Sequence, residues 1–204
     1  MDYMTLESQL QVLLPRFAQF KCMALAVENS PAWVLADLAA MACQIPCVPL
    51  PFFFSGAQQV HAMRDAGAQT LLTDRPQFFA DLLGDKVIAQ HALVIAGQTL
   101  HFFQLDFAPV SLPLGTAKIT YTSGTTGNPK GVCLSESAML AVAKSICAAA
   151  ELSSIDKHLC VLPLATLLEN VAGVYATLLA GGTAHVLAAE EVGLSGAKLD
   201  GQRL

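Results

Sequence analysis

Three times between residues 23 and 83 a short apolar run gives way, after a few residues, to a segment carrying the start signals of a helix, and this alternation constrains the fold more than any other feature. The runs 23–27, 47–50 and 70–73 have the length of buried strands. Between the first two, Ser30 and Pro31 supply a cap and a first-turn proline to 32–43, a helix apolar nearly all round. Ser55 with Gln58 makes a capping box for a helix ending at Gly67, and Asp74-Arg75-Pro76-Gln77 starts another through Leu83. Repetition of strand, short link and helix implies a parallel sheet with helices on its faces, so a first α/β layer is expected over 1–105. The chain enters it through an amphipathic helix over 6–20, built on Leu6, Leu10, Leu13, Leu14 and Phe17, with Pro15 a point of bending.

Within that layer 99–105 reads as a strand, while 87–95 is apolar enough for a strand and could equally be a helix. Pro109 and Pro113 mark 106–116 as a connecting segment, and 117–134 reads as strand, loop and strand. A second α/β layer starts over 135–190. Ser135 caps a helix with Met139, Val142, Ala143, Ile146, Cys147 and Ala150 on one face, then come a strand at 158–162, a helix over 167–180 stopped by Gly181-Gly182, and a strand at 183–187. The tail 191–204 has weak periodicity and several glycines and is expected to be disordered.

Of the 204 residues 54% are apolar and only 13% charged, about half the charged share of an ordinary soluble domain. So little polar material covers an isolated fold poorly, which suggests a piece of a larger body. The uncharged windows 38–60 and 170–189 approach the length of a membrane span. Pro46, Pro49 and Pro51 interrupt the first, and Gly181-Gly182 with His185 the second, so no transmembrane segment is expected. The N-terminus lacks a basic then apolar leader, which makes a cytoplasmic protein the expectation. Six cysteines without a C-x-x-C pair read as buried free thiols, and the histidines at 61, 91, 101, 158 and 185 as structural or surface groups. A net charge of −5 without a basic run argues against nucleic acid as a partner.

The stretch 120–131 combines five aliphatic hydroxyls, three glycines and a lysine. Gly124, Gly127 and Gly131 let a backbone approach an anion closely, so that successive N–H groups converge on it. Thr122, Ser123, Thr125 and Thr126 add hydroxyl donors, Pro129 stiffens the exit, and Lys130 offers a point charge suited to a β- or γ-phosphate. A Walker A loop is excluded because Pro129 precedes the lysine and Gly131 follows it, and G-x-G-x-x-G is absent. The expected geometry is an exposed connection between two strands, mobile without ligand.

The pattern Y-T-S-G-T-T-G-x-P-K-G resembles the signature loop of the AMP-forming adenylating superfamily, which includes acyl-CoA synthetases, nonribosomal-peptide adenylation domains and luciferases. The run 162–169 resembles that family's next block, with Thr166 where a histidine is usual and with Glu169 matching. The resemblance implies the N-terminal part of a carboxylate ligase that forms an acyl-adenylate from ATP, with Mg²⁺, and passes the acyl group to the thiol of CoA or a carrier. It implies a fatty or similarly hydrophobic acid. It implies that Thr122, Ser123, Gly124, Thr125, Thr126, Gly127 and Lys130 contact the nucleotide phosphates, that Thr166 and Glu169 lie beside the acyl pocket, and that no catalytic base or metal ligand lies in this stretch. The family's adenine, ribose and Mg²⁺ segments and its C-terminal domain with the catalytic lysine are not among the 204 residues, so this chain alone is expected to be inactive without that missing C-terminal part. A stand-alone phosphate-binding or interaction module without catalysis is the alternative.

Overall fold

A strand covered on both faces must be apolar at nearly every position, and β1 (Met23–Ala26), β2 (Cys47–Pro49) and β3 (Thr70–Thr73) are buried throughout. They lie at the centre of a seven-stranded sheet with β4 (Val87–Ile95), β5 (Gln98–Leu105), β6 (Thr116–Thr122) and β7 (Lys130–Ser135) in the order β4-β5-β3-β1-β2-β6-β7. The computed structural model describes residues 1–122 and 129–188. These form two units, Met1–Val27 with Ala32–Glu136, and Glu28–Pro31 with the chain from Ser137 onward.

In the first unit β3, β1, β2 and β6 run parallel, as the alternation implies, and antiparallel strands close both edges. The segment 87–95 is a strand. It pairs with β5 through a two-residue turn at Ala96 and Gly97, both at positive φ, the geometry that matches strand twist. The first layer and the strand–loop–strand motif therefore share one sheet.

Around it lie α1 (Tyr3–Phe17), α2 (Pro31–Ala42), α3 (Gly56–Asp65) and α4 (Pro76–Leu83). Helix α1 starts earlier than periodicity indicates because the Asp2 carboxylate accepts the Thr5 N–H at 2.7 Å, and it contains Pro15. The capping box of α3 is present, Ser55 Oγ accepting from Gln58 N and Gln58 Oε1 from Ser55 N. Helix α4 departs from its expected start. Its cap position is Arg75, without a side-chain cap, and the Arg75 guanidinium lies 3.7 Å from the Phe52 ring centre. The core includes Phe17, Trp33, Phe79 and Phe103. One ion pair lies within it: Lys118 Nζ of β6 is 2.8 and 3.0 Å from the Asp37 carboxylate oxygens of α2, and both side chains are 2% exposed.

The second unit holds α5 (Glu136–Ala149), β8 (Lys157–Cys160), β9 (Thr183–Val186), which pairs with β8 in parallel, and a helical stretch before β9. That stretch differs from the expected α-helix. Leu168–Tyr175 is wound as a π-helix and only its continuation α6 (Ala176–Leu179) is α-helical. Cys22, Cys47 and Cys160 are buried thiols, but Cys133 on edge strand β7 is exposed, which corrects the uniform burial expected. The tail 191–204 lies outside the described residues, among which no helix is long and apolar enough to cross a membrane.

Candidate functional site

The hydroxyl- and glycine-rich stretch lies in the sequence between β6 and β7. The two strands are antiparallel, with Thr122 opposite Lys130 as the last described pair. Both are exposed. Ser123, Gly124, Thr125, Thr126 and Gly127 lie outside the described residues.

What shapes this hairpin is the residue before each end. Tyr121, 7% exposed, donates its hydroxyl to Asp65 Oδ2 of α3 at 2.7 Å. Burial, then the hydrogen bond and charge of Asp65, hold the Tyr121 pKa well above its usual value, so it remains a neutral phenol and a donor. Gly131, opposite Tyr121 in register, has a use that sequence reasoning did not assign. A Cβ there would stand 2.9 Å from Tyr121 Cζ and 3.0 Å from Ile119 Cγ2, so the bare strand lets the phenol cross beneath it. On the other side His61 Nε2 of α3 is 3.0 Å from the Pro129 carbonyl.

In the second unit the run 162–169 is held by side chains rather than by a sheet ladder. Asn29 donates Nδ2 to the Leu162 carbonyl at 2.8 Å and accepts the Leu164 N–H at 2.8 Å, and Glu169 Oε2 accepts the Leu162 N–H at 2.9 Å. The other Glu169 oxygen meets His158 Nε2 at 2.5 Å. Thr166 folds its hydroxyl back onto the Pro163 carbonyl at 2.7 Å, closing the turn in which it lies. Glu169 is 4% exposed, so its carboxylate is used internally.

His158, Cys160 and Glu169 bring an imidazole, a thiol and a carboxylate within 4.8 Å of one another. The packing here is that of a hydrogen-bonded brace. A Cβ on Gly173 would lie 2.5 Å from Glu169 Oε1 and 2.6 Å from His158 Nε2, so the helix backbone sits directly on the pair. Burial first, then the charge and hydrogen bond of Glu169, push the Cys160 thiol up to about 12, keeping it protonated. Gly173→Ala forces these groups apart and is expected to lower stability by about 2 kcal/mol, read as a shift of the urea midpoint. Asn29 and His158 were not picked out from the sequence as parts of this block. The readable signal was the polarity of each beside an apolar strand.

The family model "AMP-binding enzyme" matches residues 19–199. The FR901469 synthetase of Dothideomycetidae sp. (strain 11243) is 30% identical over 193 residues, covering 90% of this chain and 1% of that protein. Among solved structures, apo MatB from Rhodopseudomonas palustris superposes with a TM-score of 0.68 at 21% identity, over 88% of this chain and 37% of that one. The amide bond synthetase McbA from Marinactinospora thermotolerans superposes with a TM-score of 0.67 at 24% identity, over 90% of this chain and 39% of that one. The chain thus spans well under half of each.

Proposed function

The chain belongs to the AMP-binding enzyme family, and on that premise we propose that it is the phosphate-holding part of an AMP-forming carboxylate ligase. The observation that carries this is the β6–β7 hairpin, whose hydroxyl-rich turn sequence is flanked by exposed Thr122 and Lys130. A carboxylate oxygen attacks the α-phosphorus of ATP, the bond from that phosphorus to the bridging oxygen breaks, and pyrophosphate leaves with the electron pair. A thiolate of CoA or a carrier then attacks the acyl carbon and AMP departs. Thr122, Ser123, Gly124, Thr125, Thr126, Gly127 and Lys130 hold the departing phosphates and offset their charge.

The stretch 116–135 contains no carboxylate, so it does not fit as a Mg²⁺ site of its own. By the family resemblance, Thr166 and Glu169 belong to the block that takes the acid, Glu169 acting through the backbone it holds at Leu162. A fatty or similarly hydrophobic acid fits the leucine-rich run 162–168. An amino or hydroxy acid is the second reading, favoured by the likeness to a peptide synthetase.

Titration of the chain with ATP and with pyrophosphate, followed by NMR, tests the phosphate contacts. Pyrophosphate is expected to compete about as well as ATP. Lys130→Ala is expected to weaken both by at least about tenfold while stability stays within about 0.5 kcal/mol. A large fall in melting temperature with binding retained would make Lys130 a structural lysine. For the ligase reaction the measurement is acid-dependent exchange of labelled pyrophosphate into ATP by the product of the full reading frame. A panel of fatty, aryl and amino acids separates the two acid classes, and exchange with none of them would leave the phosphate-binding module without catalysis.

A further inference from the structure

We propose that His61 is a positioning residue for nucleotide binding, holding the β7 end of the phosphate hairpin through the Pro129 carbonyl. The inference rests on the phosphate-binding reading of that hairpin and adds a residue outside its motif.

His61 and Asp65 are four residues apart and share one face of α3. Each grips a different strand end. Asp65 takes the Tyr121 hydroxyl at 2.7 Å, one residue before Thr122, and His61 Nε2 lies 3.0 Å from the carbonyl of Pro129, one residue before Lys130. The two grips touch each other, since the His61 and Tyr121 rings meet edge to face at 6.4 Å and 82°. A carbonyl oxygen can only accept, so the proton must reside on Nε2. Proline has no N–H, which makes this carbonyl the one main-chain polar group through which that residue can be tied. The capping box at Ser55 and Gln58 fixes the start of the helix that carries both grips. The backbone of Thr122 and Lys130 is therefore set from one helix, and their side chains reach the ligand from a fixed separation. Preorganisation of this kind shows as affinity.

The test compares the wild-type chain with His61→Ala and His61→Gln, using ATP and inorganic pyrophosphate as probes in calorimetric titrations. His61→Ala is expected to weaken both ligands by roughly five- to tenfold, the usual worth of one hydrogen bond, with the melting temperature within a few degrees of wild type. His61→Gln, which carries a donor at the same reach, is expected to restore most of the loss. Ring nitrogen shifts are expected to place the His61 proton on Nε2. Equal binding by His61→Ala, a His61→Gln variant as weak as alanine, or a proton on Nδ1 alone would each overturn the inference while leaving the phosphate-binding reading in place. A wild-type chain that binds neither probe would overturn both.

Discussion

Asp37→Ala is expected to cost about 3–5 kcal/mol, a large part of the roughly 5–15 kcal/mol that holds a domain folded. The reason is what the substitution leaves behind. Lys118 Nζ, 2.8 and 3.0 Å from the Asp37 oxygens, belongs to a side chain only 2% exposed. An ammonium there, stripped of its carboxylate, is a buried charge without its counter-charge. Nearby, the Trp33 ring centre lies 5.8 Å from Nζ, and the Cys47 thiol is held well above its usual pKa by burial and by the Asp37 charge, so it supplies no counter-charge. Trp33 is the chain's single tryptophan and is fully buried beside the pair, so its fluorescence reports this unit's unfolding in urea. Replacing both partners with apolar residues, Asp37→Leu with Lys118→Met, should recover most of the loss, because an ion pair's worth over a packed apolar pair is small. A midpoint for Asp37→Ala close to wild type would mean that water already reaches the pair.

That pair marks the boundary of what the chain disclosed in advance. Its partners are 81 residues apart, and no local pattern links them. Yet each is a lone charge in an apolar element, Asp37 within 32–43 and Lys118 within 117–121, with opposite signs. Two such charges in one core are expected to find each other, and that signal went unused. What was legible was local. The helix starts at Pro31 and Ser55, the buried runs that became β1, β2 and β3, and the two strands within 117–134 all depend on residues within a few positions of one another, although β7 begins at Lys130, two residues before the run 132–134 that signals it.

Failures of legibility have physical causes of the same kind. The β4–β5 hairpin turns at Ala96 and Gly97, and an alanine at positive φ gives none of the asparagine or aspartate signal that announces such a turn. The π-winding of Leu168–Tyr175 leaves the apolar pattern readable as an ordinary helix, because the pattern records burial and says little about hydrogen-bond spacing. Asn29 lies 133 and 135 residues from the backbone it holds, so its polarity beside an apolar strand could mark it as partnered, but only the fold reveals that the partner is the block at 162–169.

Glu169→Ala is expected to destabilise the second unit by about 2 kcal/mol, since it empties a buried position and removes the hydrogen-bond partner of two half-buried groups, each bond worth about 0.5–1.5 kcal/mol. The Leu162 N–H loses the acceptor at 2.9 Å, His158 loses its partner, and the Cys160 thiol loses the carboxylate that helps keep it protonated. Thiol chemistry reads the last of these directly. Burial and the Glu169 charge keep the Cys160 thiol protonated at pH 8, and its side chain is fully buried, so a thiol reagent should take exposed Cys133 and leave Cys160 unmodified. In Glu169→Ala the loosened unit should expose Cys160 to the reagent, and the Leu162 amide should exchange faster with solvent. Glu169→Gln keeps an acceptor for the Leu162 N–H and an amide that can donate to the imidazole, so it should lose less than half as much stability. A carboxylate that served the acid substrate alone would behave in the opposite way: Glu169→Ala would leave the unfolding midpoint and Cys160 protection unchanged and alter only which acids are used. Burial to 4% exposure, with both oxygens engaged inside the unit, makes the structural outcome the expected one, and any effect on acid choice would then follow from movement of the backbone at Leu162.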